Sequence, residues 1–151
     1  ALPDWISKYP KLEPAVAKAL YWYQQPGYFQ HYASQDKVPS INQKGWARVQ
    51  ALSQRFADGN LAPATIGWDP ANDLASPTGK EKHPGYDWTS EAVKGSDAMW
   101  AIPAIMLEAV PGTQPDIYAY VDEQGWEDGM PPHVQDELNA AMDGEEEDPE
   151  D

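Results

Sequence analysis

No cysteine occurs in the 151 residues, which excludes disulfides, thiol nucleophiles and Cys-ligated zinc. No apolar run reaches the roughly 18 residues that a membrane-spanning helix needs. Histidine is scarce. His31, His83 and His133 lie far apart and share no His-Glu-x-x-His spacing, so no metal site is expected from them. Asp69-Pro70-Ala71-Asn72-Asp73 begins like a calcium loop, but Ala71 stands where a ligand is needed and the required glycine is missing. A phosphate-cradling loop is lacking too. The one Gly-Lys pair, Gly79-Lys80, is followed by Glu81 and has no glycine five residues before it. ATP hydrolysis by this chain, and any cofactor, are therefore not expected. No Gly-x-Ser-x-Gly turn marks a serine nucleophile.

Positive charge is lacking from one end of the chain. All 10 Lys and Arg fall within residues 1–94, beside 9 acids; residues 95–151 hold 16 acids and no Lys or Arg. The formal net charge of −15 thus resides almost wholly in the second part. That sign argues against nucleic acid and against anionic membranes as partners, although residues 1–55 carry 7 Lys and Arg and keep a local basic face open. Residues 143–151 are nearly all acidic. They hold too little apolar area to offset the entropy of ordering, so a disordered acidic tail is expected there. Such a tail either keeps the chain soluble or draws in a basic partner. The first turn carries Asp4, Lys8 and Lys11 rather than a basic start and an apolar stretch. No secretory leader is read there, and a cytoplasmic place, or one within a macromolecular assembly, is expected.

With 15 Pro and 11 Gly, many loops and broken helices are expected. Leu2–Tyr9 reads as a short helix with Pro3 in its first turn and Pro10 behind it. A second helix is predicted over residues 12–25, with Leu12, Val16, Ala19, Leu20 and Tyr23 on its apolar face and Lys18 off it. Pro26-Gly27 ends it, and an aromatic loop follows. Ser40 and Gln43 have capping-box spacing ahead of a third helix whose stripe is Trp46, Val49, Leu52 and Phe56, stopped at Asp58-Gly59-Asn60. Gly45 weakens that helix by about 1 kcal/mol relative to Ala. Residues 60–88 form a long central loop, with an extended piece at 64–68 and with Trp68, Tyr86 and Trp88 able to pin it to the core. Thr89 or Ser90 is expected to cap a short helix reaching Lys94. Ser96 then caps a helix over 97–110, apolar all round and hence buried, kinked at Pro103. Residues 117–121 read as a short strand, and Pro131–Met142 as an amphipathic helix with Val134, Leu138 and Met142 in its stripe. The expected fold is mostly α: one small irregular helical domain over 1–142, with one or two short strands, followed by the tail.

Leu2-Pro3-Asp4-Trp5-Ile6, then Leu12-Glu13-Pro14-Ala15-Val16, Phe29, Pro39-Ser40 and Gly45-Trp46-Ala47-Arg48-Val49 stand in a familiar order. Over residues 2–56 the chain resembles the small helical lid region near the C-terminus of MoxR-like AAA+ ATPases. The resemblance implies a lid-like module associated with a remodelling machine. In that family the turn before the later helix carries a second proline and an arginine that senses phosphate. Here the turn reads Pro39-Ser40-Ile41-Asn42-Gln43-Lys44-Gly45-Trp46, so the second proline is missing and Lys44 is the only cation nearby.

Aromatics favour Tyr and Trp, 8 and 7 against 2 Phe. Both pair an apolar body with a polar tip, which suits interfaces and half-buried sites. Tyr21, Trp22, Tyr28, Phe29 and Tyr32 are the candidate contact surface, unless these rings fill the core. Val134, Leu138 and Met142 are the second candidate, either laid into a partner's groove or packed on their own domain. Three functions follow in order. The first is a non-catalytic interaction or assembly module whose protein partner offers a basic or apolar groove. The second is a structural subunit of a larger assembly, with oligomers possible. The third is a small hydrolase using Glu91 or Asp97, with Glu108 as a further carboxylate.

Overall fold

In the computed structural model the described residues are 2–74, 85–115, 123–127 and 130–145. The protein is mostly α-helical. Contacts cluster into two units, Ala1–Pro115 and Asp116–Asp151.

The first unit is built on α1 (Leu2–Ser7), α2 (Pro14–Tyr23), α3 (Pro26–Phe29) and α4 (Gln43–Asp58), which pack on one another. Pro14 opens α2 at a position where its missing N–H costs nothing. Gln25, ahead of Pro26, leaves the right-handed helix and turns left-handed, φ 56°. The predicted aromatic loop therefore starts as the single turn α3.

Of the apolar face predicted for α2, Leu12 is buried, Ala19, Leu20 and Tyr23 pack half-buried against the core and Val16 is exposed, while the most deeply buried side chains lie on a neighbouring face. Those are Ala15, Ala17, Lys18, Tyr21 and Trp22. The reason lies four residues apart on α2. Lys18 Nζ donates to the carbonyls of Ile105 and Glu108, 2.6 and 2.7 Å, and Trp22 Nε1 donates to that of Met106, 2.8 Å. Lys18 also lies 5.2 Å from the Phe56 ring centre. A lysine can be buried when its stem packs and its ammonium finds acceptors.

Those carbonyls end α5 (Ala104–Leu107), which corrects the long buried helix predicted over 97–110. Gly95–Asp97 forms a 3₁₀ turn, the backbone is extended at Ala98 and at Pro103, and only one α turn follows. Pro103 lacks the N–H that a continuous helix would need and presses Ile102 toward extended geometry. Ile102 and Met106 are buried, but Met99, Ile105 and Leu107 are exposed.

Helix α4 buries Trp46, Val49 and Leu52, with Phe56 packed beside them, and it ends at Gly59 (φ 66°) with Asn60 N–H bonded to the Arg55 carbonyl, 2.9 Å. The capping box does not form. Ser40 belongs to a 3₁₀ turn, Ser40–Asn42, and Gln43 Nε2 donates to the Val38 carbonyl, 3.0 Å. Gly45 is a packing device: a Cβ there would stand 2.8 Å from Cζ of Phe29.

The chain after Gly59 is tied down by pairs. Trp68 and Val110 exchange backbone hydrogen bonds of 3.0 and 2.7 Å, and Asp73 pairs with Tyr86. The turn Trp88–Glu91 is capped by Asp87, whose carboxylate accepts from Thr89 N–H at 2.9 Å, so the cap lies two residues before Thr89. In the second unit Gly125 turns the chain at φ 66°, Glu127 pairs with Met130, and α6 runs Pro132–Glu145. Asp143, expected to open the acidic tail, lies within α6. The strand predicted over 117–121 and the tail over 146–151 fall outside the described residues.

Candidate interaction surfaces

Three interior polar groups come first, because each has the burial that a reactive site would need. Asp73 is fully buried. Its Oδ1 accepts from Trp68 Nε1, 3.0 Å, and its Oδ2 from Tyr23 OH, 3.0 Å, and Trp88 Nε1, 2.9 Å. The rings of Tyr23, Tyr86 and Trp88 pack around it, with centres 5.0 and 5.1 Å apart. The segment that began like a calcium loop thus turns its last carboxylate inward as a hub for aromatic donors. Among the described residues no group of His, Asp and Glu is placed to hold a metal.

Gln30 is the second. Its side-chain oxygen accepts from Val93 N–H, 2.7 Å, and its amide donates to the carbonyls of Val93 and Trp100, 2.9 and 3.0 Å. It acts as a backbone substitute that holds residues 93–100 against α3. Beside it lies a hollow of about 520 Å³ lined by Val93, Lys94, Trp100, Ile102 and small residues. Among the described residues its lining has no carboxylate. Neither Glu91 at the end of its turn nor the exposed Asp97 reaches it, so this hollow lacks the paired acids that the hydrolase alternative requires. Tyr21 is the third. Its hydroxyl is buried with no hydrogen-bond partner among the described residues, and burial pushes its pKa up.

The predicted aromatic surface divides. Tyr21 and Trp22 are fully buried and Phe29 nearly so; these three fill the core and offer nothing to a partner. Tyr28 and Tyr32 remain toward solvent, their rings 5.5 Å apart, and Asn42 donates to the Tyr28 hydroxyl at 2.9 Å.

A stronger exposed pair lies at the front of the chain. Trp5 on α1 and Tyr9 just beyond it stack with ring centres 5.3 Å apart and 28° between planes. Trp5 is 62% exposed and Tyr9 40%. A hollow lies on each side of this ridge. One, about 320 Å³, is lined by Asp4, Lys8 and Pro10; the other, about 220 Å³, by Ile6, Lys11, Leu12, Glu13 and Val16. Trp5 and Tyr9 line both.

The charge around the ridge is mixed, with one acid and one lysine beside each hollow. Asp4 is held by Arg48 at 2.7 Å, and that hydrogen bond keeps its carboxyl below the usual range. Glu13 accepts from Thr65 N–H and Oγ1 at 2.5 and 2.8 Å, which lowers its pKa likewise. Lys8 and Lys11 are exposed and make no ion pair among the described residues. Arg48 matches the charge of Asp4, whereas Glu13, held by neutral donors, keeps its negative charge beside Lys11.

The ridge was hidden in the sequence because a six-residue helix has too few positions to display an apolar stripe. The i,i+4 spacing of Trp5 and Tyr9 was the available signal. In the second unit Leu138 is 47% and Met142 58% exposed on α6, with Val134 half-buried, and the exposed Asp136 and Asp143 lie on the opposite face of the helix. Among the described residues no helix is long and apolar enough to cross a membrane. No family model, curated protein or solved structure matches the chain.

Proposed function

We propose that this chain is a non-catalytic interaction module that holds a protein partner through the Trp5–Tyr9 ridge and presents α6 as a second, acidic contact. The observation that carries the reading is the exposed stacked pair with a hollow on each flank. Exposed Trp and Tyr are costly to leave in water and are the residue types that dominate binding energy when covered. Their exposure on an element that α2 and α4 hold in place gives a preorganised contact.

The lid-like resemblance over residues 2–56 fits this reading, since that span contains the ridge and α1 through most of α4. On that version the partner belongs to an AAA+ remodelling machine, and the chain supplies an arm without a nucleotide site.

The test is capture followed by titration. Full-length chain and a Trp5→Ala/Tyr9→Ala variant are immobilised, the bound protein is identified, and its affinity for each is measured. The reading expects the variant to bind at least about 30-fold more weakly, the factor for a hot-spot pair worth about 2 kcal/mol. Equal affinity overturns it. Turnover in a glycan or peptide hydrolysis screen, abolished by Glu91→Gln, overturns the non-catalytic part.

A further inference from the structure

We infer that Arg48 and Arg55 are the positioning residues of the ridge: from α4 they clamp the two ends of α1 and so hold Trp5 and Tyr9 in their stacked, outward arrangement. The inference deepens the interaction reading above, on which its effect on binding rests.

Helix α1 cannot hold the rings by itself. It has 6 residues, and isolated helices shorter than about 12 residues are marginal in water. Its apolar anchorage is slight. Ser7 is buried and Ile6 packs beside the core, whereas Leu2 and Trp5 are exposed. Tyr9 lies beyond the end of α1 and is exposed too.

The two arginines supply what burial does not. Both are half-buried, and they stand two turns apart on α4, which places them on one side of that helix. Arg48 takes the front of α1. Its Nε and Nη2 donate to Asp4 Oδ1, 3.1 and 2.7 Å, and its Nη1 donates to the side chain of Gln24 just past α2. Arg55 takes the back. Its Nη1 donates to the carbonyls of Ser7 and Tyr9, 3.0 and 2.8 Å, and its Nε to that of Asn60, 2.9 Å. Carbonyls at the end of a helix lack partners within it, and a cation suits them. Among the described residues Arg55 makes no ion pair, so its donors go to backbone.

The arrangement calls for arginine. A rigid fork of several donors spans separate carbonyls, whereas a lysine ammonium is one point on a flexible stem. Each clamp also acts beside a ring. Asp4 precedes Trp5 in the chain, and the carbonyl that Arg55 holds at the back is that of Tyr9 itself. Rings fixed before contact lose less freedom when they are covered, which is the gain from preorganisation.

The experiment is nuclear magnetic resonance of the full-length chain, as wild type and as Arg48→Met, Arg55→Met, Arg55→Lys and the double Met variant. Methionine keeps the packing of the stem and removes the donors. In the double variant the cross-peaks between the Trp5 and Tyr9 rings are expected to vanish. Exchange of the Lys8 and Tyr9 amides, bonded to the Trp5 and Ile6 carbonyls, is expected to quicken about tenfold or more, while the Val49 and Leu52 amides of α4 stay within about threefold of wild type. Arg55→Lys should fall between wild type and Arg55→Met. The double variant keeps both rings, yet the partner captured as above should bind it about fivefold or more weakly.

Rings that stay in contact in the double variant overturn the inference. So does exchange that quickens equally in α1 and α4, because the arginines then support the whole fold rather than the ridge. Full rescue by Arg55→Lys overturns the need for the fork. The interaction reading fails separately: if the stack is lost and partner affinity does not change, the clamp stands and binding through the ridge falls.

Discussion

Two sets of Trp and Tyr side chains, alike in chemistry, do opposite things in the first unit. Around Asp73 the rings of Tyr23, Trp68 and Trp88 are turned so that every one of their polar tips donates to one buried carboxylate. At the front of the chain Trp5 and Tyr9 stack face to face with their outer surfaces in solvent. What separates a ring that holds the fold from a ring available to a partner is therefore the fate of its polar tip and second face, not its identity. The inner set has exhausted both; the outer set has used one face on its neighbour.

The comparison is most severely tested by removing the inner hub. Asp73→Ala leaves three donors without their acceptor and should lower the unfolding free energy by about 3–5 kcal/mol in a urea titration. A loss below about 1 kcal/mol would mean that the rings are held by packing alone. Lys18→Met keeps the stem but deletes the donations to Ile105 and Glu108, and should cost about 1–3 kcal/mol. Burial depresses the Lys18 pKa, with Glu108 and Asp69 opposing. The folded state thus binds this proton less well than the unfolded one, and the wild-type contribution rises as pH climbs toward 10.5. The Met variant should lack that rise in pH-dependent unfolding curves.

Gly45→Ala separates two expectations of opposite sign. Helix propensity alone predicts a gain of about 1 kcal/mol. The 2.8 Å approach of a Cβ to Phe29 predicts a net loss of about 1–2 kcal/mol, which thermal unfolding will read directly. Tyr21→Phe removes an unpartnered buried hydroxyl and should stabilise by about 0.5–1 kcal/mol. Because burial raises the Tyr21 pKa, its contribution is full below pH 10 and declines as the unfolded phenol ionises above it. The Phe variant should not show that decline. The smallest effect on stability is expected for Trp5→Ala/Tyr9→Ala, within about 0.5 kcal/mol, beside the large loss of binding already described.

Helix α4 was legible because its apolar and polar residues segregate cleanly around one axis, from Trp46 to Phe56, and because Asp58-Gly59-Asn60 carries its own stop. The mostly helical class followed from that pattern and from α2 and α6. The buried face of α2 was legible only in part, at Leu12, Ala19, Leu20 and Tyr23 and not at Lys18. Periodicity treats lysine as a surface residue, and only the tertiary placement of the carbonyls of Ile105 and Glu108 makes Lys18 an interior one. The segment 97–110 misled for a related reason: its apolar residues are shared between buried Ile102, Met106 and Val110 and exposed neighbours, and Pro103 decides the backbone. On the surface side, Val134, Leu138 and Met142 were read from spacing, and Leu138 and Met142 lie exposed. For Tyr21 and Trp22 the sequence left surface and core both open, because ring content alone does not say which side of a helix is covered; they fill the core.

The account turns on Trp5 and Tyr9 being open in the isolated chain and covered on assembly. Hydroxyl-radical footprinting of the full-length chain, read residue by residue alone and with its captured partner, measures this. Trp5 and Tyr9 should oxidise many times faster than Trp22 and Trp88 in the isolated chain and become protected when the partner is added. Protection of Trp5 equal to that of Trp88 at nanomolar concentration would show the ridge covered within a single molecule, and would contradict its role as a contact.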